Sequence, residues 1–319
     1  MTKLTIGVTS CNRSYYTKSI LTSLKDVVAC DNIQLIVVDN ASSENGLCDY
    51  LVSCDFIDSL ILRKDRNWIN DEYIAKNIII EQAKHDIILF LQDDAQFVGN
   101  KAMLINYVND FAHITNAKCM SMIGVRKVSI SEKFDFSRGI SSANGSKYWC
   151  RLDNHFTTTG LFKKELFEKL GHYPVSWKEN DSYWGKSEDY YHKLTLQKCP
   201  DQYALEAHVP LFAGIWNDPR GYYSIIRRNR RYGHYIPPQH ESGLYYSMLT
   251  QDRINTLMKN DIPASFTDIT IPLNWDYPRT PDGDQVKYDQ KLIIKDGPYI
   301  DLYDDEQNDQ HMSEWITDN

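Results

Sequence analysis

The chain has 319 residues, 42% hydrophobic and 24% charged, with a formal net charge of −8 and a pI near 5.6. That length buries a real core in one large domain or one and a half, and the acidic balance excludes a general nucleic-acid binder. The acidity gathers at the end, where residues 296–319 hold eight acids and no Lys or Arg; they read as a solvated or disordered tail, with a docking segment as the alternative.

In chain order, "KLTIGVTSCNR" reads as a strand followed by a loop. "SYYTKSILTSLKDVVAC" carries Ile20, Leu21, Leu24, Val27 and Val28 at helical spacing. "NIQLIVVDNASSENG" is a continuous β-branched run that ends in Asp39-Asn40 and small residues. "DSLILRKDRN" is a third short strand. "NDEYIAKNIIIEQAKHD" is a helix with Asn70 as its N-cap and Asp71 and Glu72 in its first turn. "IILFLQDD" is a fourth strand, "KAMLINYVNDFAHI" a helix and "CMSMIGVRKV" a further strand. "SEKFDFSRGISSANGSKYWC" is polar and reads as a loop, and "HFTTTGLFKKELFEKLGHYP" is a strand turning into a helix that Gly171 ends.

The order β-α-β-(α)-β-α-β with near-continuous apolar strands predicts an α/β fold, its mainly parallel sheet covered on both faces. Ligands in such sheets sit beyond the carboxyl ends of the strands, where Thr9, Asp39 and Asp93/Asp94 all fall. Prolines and acids multiply after about residue 240. A boundary there gives a domain over residues 1–240 and a C-terminal extension over 241–319 that carries the acidic tail. Seven scattered cysteines without Cys-x-x-Cys spacing fit structural thiols in a reducing compartment. The opening residues enter a strand at once and show no secretory leader, and no window is apolar enough to span a membrane.

Four groups of residues carry chemistry. Asp93-Asp94 at a strand tip suits Mg²⁺ or Mn²⁺, hard cations held by one or two carboxylates plus substrate phosphates; a tight turn explains the pair equally well. Glu188-Asp189 in "DSYWGKSEDYYHKL" pairs acids with aromatics, which suits a base acting on a sugar hydroxyl with Trp184 stacked on a sugar face. A helix N-terminus rich in acids is the plainer account of that segment. His208 in "EAHVP" is either a core histidine or a ligand, and His234 is a weaker candidate. Four arginines in the five positions 227–231 form a helix face for phosphate, an anionic lipid surface or the acidic tail.

Taken together these segments resemble the GT-A glycosyltransferases, in particular family 2, over about residues 4–235. "LFLQDDAQF" is similar to the family's DxD region, with Gln92 at its first position, Asp93 in the middle and Asp94 last. "TIGVTSCNR" resembles the opening strand and nucleotide loop, and "IVVDNASSENG" the stretch whose Asp contacts the base. "DRNWINDEYIAKNIIIEQAKHDIILFL" matches the segment that carries a conserved-type Asn at Asn77, with "NWIN" where the family has Gly. "TTTGLFKKELFEKLGHYP" and "YWGKSED" resemble the approach to the family's Glu-Asp motif and the WGgED segment of metazoan galactosyltransferases. "YYSIIRRNRRY" resembles a segment that a His precedes.

The resemblance implies a GT-A fold, a Rossmann-like mixed and mostly parallel sheet flanked by helices, with a small C-terminal extension. It implies an inverting, metal-dependent hexosyltransferase. Asp189 would be the base and Glu188 an acceptor-binding residue, with Trp184 and Gly185 at the sugars. Asp94 and His208 would hold Mn²⁺ or Mg²⁺. Thr9, Asn12, Arg13, Asp39, Asn77 and Asp93 would bind the nucleotide, and Arg228 and Asn229 the diphosphate. The expected partners are a nucleotide-sugar donor, UDP-linked by analogy with dTDP and GDP as alternatives, and a glycan or glycolipid acceptor, as in polysaccharide biosynthesis. A cytoplasmic site with room for peripheral membrane contact and for homo-oligomers follows from the same reading. Two rivals stay open. A sugar-phosphate nucleotidyltransferase would carry a Gly-rich, basic phosphate loop, which "TSCNRSYYTK" lacks. A non-catalytic carbohydrate-binding protein would not need Asp94.

Overall fold

The computed structural model describes residues 3–12, 14–67, 70–122, 134–151, 159–175 and 186–214, with residues 252 and 255. Its first part alternates strand and helix: β1 (Leu4–Ser10), α1 (Ser14–Val28), β2 (Ile33–Asp39), α2 (Leu47–Ser53), β3 (Ser59–Leu62), α3 (Asp71–Gln82) and β4 (Ile87–Gln92). β5 (Ala95–Phe97), α4 (Lys101–His113) and β6 (Ala117–Ser121) follow. The second part holds β7 (Phe134–Ser141), β8 (Lys147–Arg151), β9 (Gly160–Lys163), α5 (Lys164–Leu170), α6 (Lys186–Lys198), β10 (Tyr203–Ala207) and β11 (Phe212–Gly214).

Nine of these strands form one sheet in the order β3-β2-β1-β4-β9-β6-β10-β8-β7, and β11 pairs with β5 in a separate ribbon. β3, β2, β1 and β4 run parallel, as the uninterrupted apolar runs predict. β9 is inserted antiparallel between β4 and β6. The sheet is therefore mixed, and parallel over β3, β2, β1 and β4, as the α/β reading of the sequence expects.

Alternation along the strands divides the core in two. Leu4, Ile6 and Val8 of β1, Leu35 and Val37 of β2, and Leu89 and Leu91 of β4 face α1, α2 and α4. Ile36, Val38, Ile88 and Phe90 point the other way, onto Ala75 and Ile79 of α3, Phe167 of α5 and Tyr191 of α6. Burying each large apolar side chain contributes roughly 1.5–3 kcal/mol. Gly7 lets α3 approach β1 on this second face, since a Cβ there would lie 2.4 Å from Ile79 Cγ2. Gly160 opens β9 at φ +129°, with no room for a Cβ beside the Met120 carbonyl.

Three readings of the sequence change. "SEKFDFSRGISSANGSKYWC", read as a loop, contributes the hairpin β7-β8. Its turn at Asn144-Gly145, with Gly145 at φ +85°, is the turn chemistry that joins two strands, and β7 lies at the sheet edge, where polar residues are tolerated. The helix predicted to run to Asp86 ends at Gln82. Asn70 occupies its N-cap position, but its side chain donates to Asn67 Oδ1 rather than capping a helix N–H. All seven cysteines are free thiols. No helix among the described residues is long and apolar enough to cross a membrane.

Candidate active site

The carboxyl edge of the parallel strands is built from two loops that are buttoned together. After β1 the chain turns at Asn12 through the left-handed region, φ 48°, which Asn tolerates better than most residues. The Asn12 carboxamide oxygen accepts from the backbone N–H of Ser43 (2.6 Å) and of Glu44 (3.0 Å), both in the loop after β2. Asn12 N–H donates to Ser42 Oγ (2.8 Å), and Glu44 accepts from Ser14 N–H (2.9 Å) and from its hydroxyl. Asp39, at the tip of β2 and 1% exposed, accepts from Ser42 N–H (2.8 Å) and Oγ–H (2.5 Å). Its carboxylate thus sets the shape of its own loop. The nearby Cys48 thiol is pushed up from its ordinary pKa by burial, and further by Asp39 and Asp49.

The third component is the turn after β4. Asp93 N–H donates to the Thr9 carbonyl (3.1 Å), and Asp93 Oδ2 accepts from Cys11 N–H (3.4 Å). Asp94 follows, also buried, and the chain passes into β5. The turn account and the ligand account of Asp93-Asp94 are therefore compatible: the pair makes the turn, and the turn sits against the β1 loop. Among the described residues, no group of three or more His, Cys, Asp or Glu gathers as a metal site. The donor set at Asp93-Asp94 fits a hard divalent ion whose shell substrate oxygens complete.

Two further polar clusters sit beside this edge. Arg63, just past β3, donates through Nη1 to Asn40 Oδ1 (2.7 Å) and to Asp71 Oδ1 (2.6 Å), while Arg66 Nε meets Asp71 Oδ2 (2.8 Å). Asp71 also accepts from Asn67 N–H (2.8 Å). The first acid of α3 thus ties the base-side loop to the helix. In the second cluster Glu72 accepts from Gln92 Nε2 (2.9 Å) and pairs with Lys76 (2.5 Å), which is 1% exposed and lies over the Tyr173 ring. Gln92, where the family pattern has an acid, is so linked to a carboxylate and an ammonium on α3. The i,i+4 spacing of Glu72 and Lys76 is the signal that would have found this pair.

Asn77 was expected at the nucleotide. Its carboxamide instead pairs with the Tyr173 backbone, donating to the carbonyl (2.9 Å) and accepting from the N–H (2.8 Å). These two hydrogen bonds to main chain clamp α3 to the segment after α5.

The second part of the chain arrives from the other end of the sheet. Lys118 Nζ, near the start of β6, donates to Thr195 Oγ1 late in α6 (3.4 Å), and β10 begins beside β6 through Tyr203 N–H to the Asn116 carbonyl (2.9 Å). α6 therefore runs antiparallel to β6 and β10. The six residues back from Thr195 to Asp189 rise about 9 Å, and the three from Lys118 to Ser121 advance about 10 Å. The first turn of α6, which carries Glu188 and Asp189, lies at the same carboxyl edge; the side chains of these two residues are outside the described atoms. Tyr191 anchors the helix by stacking on Tyr173 (4.2 Å between ring centroids) and bonding the Gly171 carbonyl.

His208 is one residue past β10 and fully buried. Its Nδ1 accepts from Trp149 Nε1 on β8 (3.1 Å), and its backbone N–H donates to the Lys147 carbonyl (3.0 Å). Glu206, 2% exposed, accepts from Ser121 Oγ (3.0 Å) on the same face. Trp149, Ser121 and Glu206 carry no signal in the sequence, because strand pairing alone brings them together. Arg13, Trp184, Gly185, Arg228, Asn229 and His234 lie outside the described residues.

Residues 5–130 match the profile of Glycosyl transferase family 2. No curated protein matches the chain. Among solved structures, S. aureus TarS 1–349 aligns at 16% identity and a TM-score of 0.49, over 71% of this chain and 64% of that one. The same protein in complex with UDP-GlcNAc aligns at 14% identity and 0.46, over 70% and 66%. The mannosyltransferase PcManGT from Pyrobaculum calidifontis, in complex with GDP-Man and Mn²⁺, aligns at 17% identity and 0.47, over 72% and 61%. The chain thus spans less than two thirds of the length of each. With these scores the functional reading stands on the family match and on the residues themselves. That match falls on β1 to β6, the segment whose loops form the buttoned edge, and over this segment the chain is similar to the family 2 glycosyltransferases.

Proposed function

We propose that the chain transfers a hexose from a nucleotide-diphosphate sugar, with UDP as the nucleotide, to a hydroxyl of a glycan or glycolipid, inverting the anomeric centre. One observation carries the reading. The loops after β1 and β2 and the turn after β4 are tied to one another at one sheet edge, through Asn12 with Ser43 and Glu44 and through Asp93 with Thr9 and Cys11, inside the family 2 match.

Asp39 and the Thr9–Arg13 loop bind the base and ribose, with Asp93 on the ribose. Asp94 is the residue that would hold Mg²⁺ or Mn²⁺, and a bound ion supplies charge neutralisation for the departing diphosphate. Arg228 and Asn229 bind the same phosphates. Glu188, Trp184 and Gly185 hold the sugar and the acceptor. Asp189 accepts the proton of the acceptor hydroxyl as its oxygen attacks the anomeric carbon. The new C–O bond forms on the face opposite the nucleotide while the bond to the phosphate oxygen breaks. The position of the α6 first turn at the carboxyl edge supports this role for Asp189.

Asp189→Asn tests the assignment. Loss of a general base lowers the rate on the order of 10²–10⁴-fold, while UDP affinity, measured by calorimetry with Mn²⁺, stays at the wild-type value. A wild-type transfer rate removes Asp189 as the base. In the same titrations UDP raises the melting temperature with Mn²⁺ and much less with EDTA; equal stabilisation contradicts a metal-bridged diphosphate.

A further inference from the structure

Helices α3 and α6 are joined by a residue that belongs to neither. Tyr173, in the segment after α5, is 2% exposed. Its ring is nearly parallel to that of Tyr73 on α3 (centroids 5.8 Å apart, 23° between planes) and to that of Tyr191 on α6 (4.2 Å, 16°). Lys76 Nζ of α3 lies 5.7 Å from the same ring centroid. The main chain is held from both sides as well. Asn77 of α3 fixes the N–H and the carbonyl of Tyr173, and the Tyr191 hydroxyl of α6 donates to the Gly171 carbonyl. The stretch from Gly171 to Tyr173 is therefore a bridge, gripped at one end by α6 and at the other by α3.

Core packing accounts for the burial of Tyr173 but not for where the bridge stands. Tyr73 is in the first turn of α3, next to Glu72. Glu72 accepts from Gln92 at the tip of β4, immediately before Asp93-Asp94, and the same Glu72 oxygen pairs with Lys76. Tyr191 is two residues past Asp189 in α6. A continuous run of contacts thus leads from the turn after β4, through Gln92, Glu72, Lys76 and Tyr173, to the helix turn that follows Asp189. A close-packed aromatic ring is a rigid spacer, so the width of Tyr173 is passed on to the helices it separates.

We infer that Tyr173 is a positioning residue: its ring sets the separation between the turn that carries Asp93-Asp94 and the first turn of α6, which carries Asp189. The inference rests on the proposed function for the roles of Asp94 and Asp189, and on the contacts of Tyr173 for the spacing. A reaction that joins a donor carbon held at the first station to an oxygen activated at the second depends on that separation, and a displacement of about 1 Å costs on the order of 10²-fold in rate.

The test compares Tyr173→Leu, which loses the stacked ring, with Tyr173→Phe, which keeps it; the Asn77 bonds go to main chain and are available to both. Turnover is read as UDP released from UDP-glucose or UDP-N-acetylglucosamine with Mn²⁺ and water as the acceptor. UDP affinity is read by calorimetry with Mn²⁺, and the hold on α6 by hydrogen exchange of the unliganded full chain. In Tyr173→Leu we expect kcat to fall about 10²-fold, UDP affinity to stay at the wild-type value, and exchange to quicken in α6 but not in β1 or β2. Tyr173→Phe should match the wild type in all three. A Tyr173→Leu protein with wild-type kcat, with wild-type exchange in α6, or with UDP affinity lost in step with kcat overturns the inference. So does a Tyr173→Phe protein as poor as Tyr173→Leu. Should Tyr173→Leu not fold, the wild-type exchange decides: α3 and α6 protected to the same degree support the bridge, and an α6 that exchanges freely beside a protected α3 overturns it. If the wild type neither binds UDP nor releases it from either donor, the proposed function fails, and the exchange comparison, which needs no donor, still decides whether Tyr173 fixes α6.

Discussion

The two halves of this sheet reach the same edge by different means. On the nucleotide side, β1, β2 and β4 are in-register parallel strands, and their loops are locked by side chains close to the strand tips: Asn12, Asp39, Ser42, Asp93. On the acceptor side, β8, β9 and β10 are short, mostly antiparallel, and paired across long stretches of chain. Their polar contacts, Trp149 with His208, Ser121 with Glu206 and Tyr148 with Asp110, join residues 38 to 85 positions apart. The first side carries its polar residues at the tips of its strands, and the family 2 match ends near residue 130. The second side is held by pairing geometry.

If that contrast is right, the nucleotide side should be more sensitive to loss of one charge. Asp71 neutralises Arg63 and Arg66, all three side chains largely buried at 9%, 14% and 18% exposure. Asp71→Asn leaves two guanidinium groups without their carboxylate and should lower the unfolding free energy by about 3 kcal/mol. Because Arg63 also donates to Asn40, UDP affinity should fall with it. Denaturant midpoints and UDP calorimetry check both; a loss of stability with full UDP affinity would separate this cluster from the nucleotide loop.

On the acceptor side the matching experiment is Tyr148→Phe. Tyr148 is fully buried beside Tyr107, and its hydroxyl donates to Asp110 Oδ2 (2.6 Å). Burial, then the bond to the Asp110 carboxylate, pushes its pKa far above that of an ordinary phenol. Asp110 is only partly buried and can regain water, so the variant should lose about 1 kcal/mol. Chemical denaturation measures it. A loss as large as that of Asp71→Asn would erase the proposed difference between the halves.

The sequence was most readable where residues neighbouring in the chain also neighbour in space. The apolar runs 33–39 and 87–91 announce buried parallel strands, and the Asp residues that end them sit at the carboxyl edge as expected. Reading failed where pairing overrides polarity. β7 is the edge strand, where polar residues are tolerated, and Asn144-Gly145 was the signal that mattered. At the site, Thr9, Asn12, Asp39 and Asp93 are brought together from separate strands. Asn77 was drawn into a backbone clamp, and Arg63 was invisible because its role needs α3 packed on the sheet, whereas Glu72 and Lys76 could have been read from their i,i+4 spacing. His208 was read as a lone residue, whereas it bonds Trp149, 59 positions earlier and on another strand.

The smallest effect belongs to the far edge of the nucleotide side. His85 joins α3 to β4, and its pKa is lowered from the ordinary 6.5, by burial first and then by Lys3. The folded state therefore favours the neutral ring. Above pH 6.5 both folded and unfolded chains hold it neutral, and its contribution is fully present. As pH falls through 6.5 the unfolded chain takes up the proton first, so stability is lost down to the folded value, where the loss levels off. The residue is partly exposed, so water screens the effect and it stays below that of Tyr148→Phe. His85→Gln removes this proton uptake. Its melting temperature should fall less than wild type between pH 7.5 and 5.5, with the two curves parallel above pH 7. Parallel curves throughout would mean that the lowered pKa of His85 does not contribute to stability.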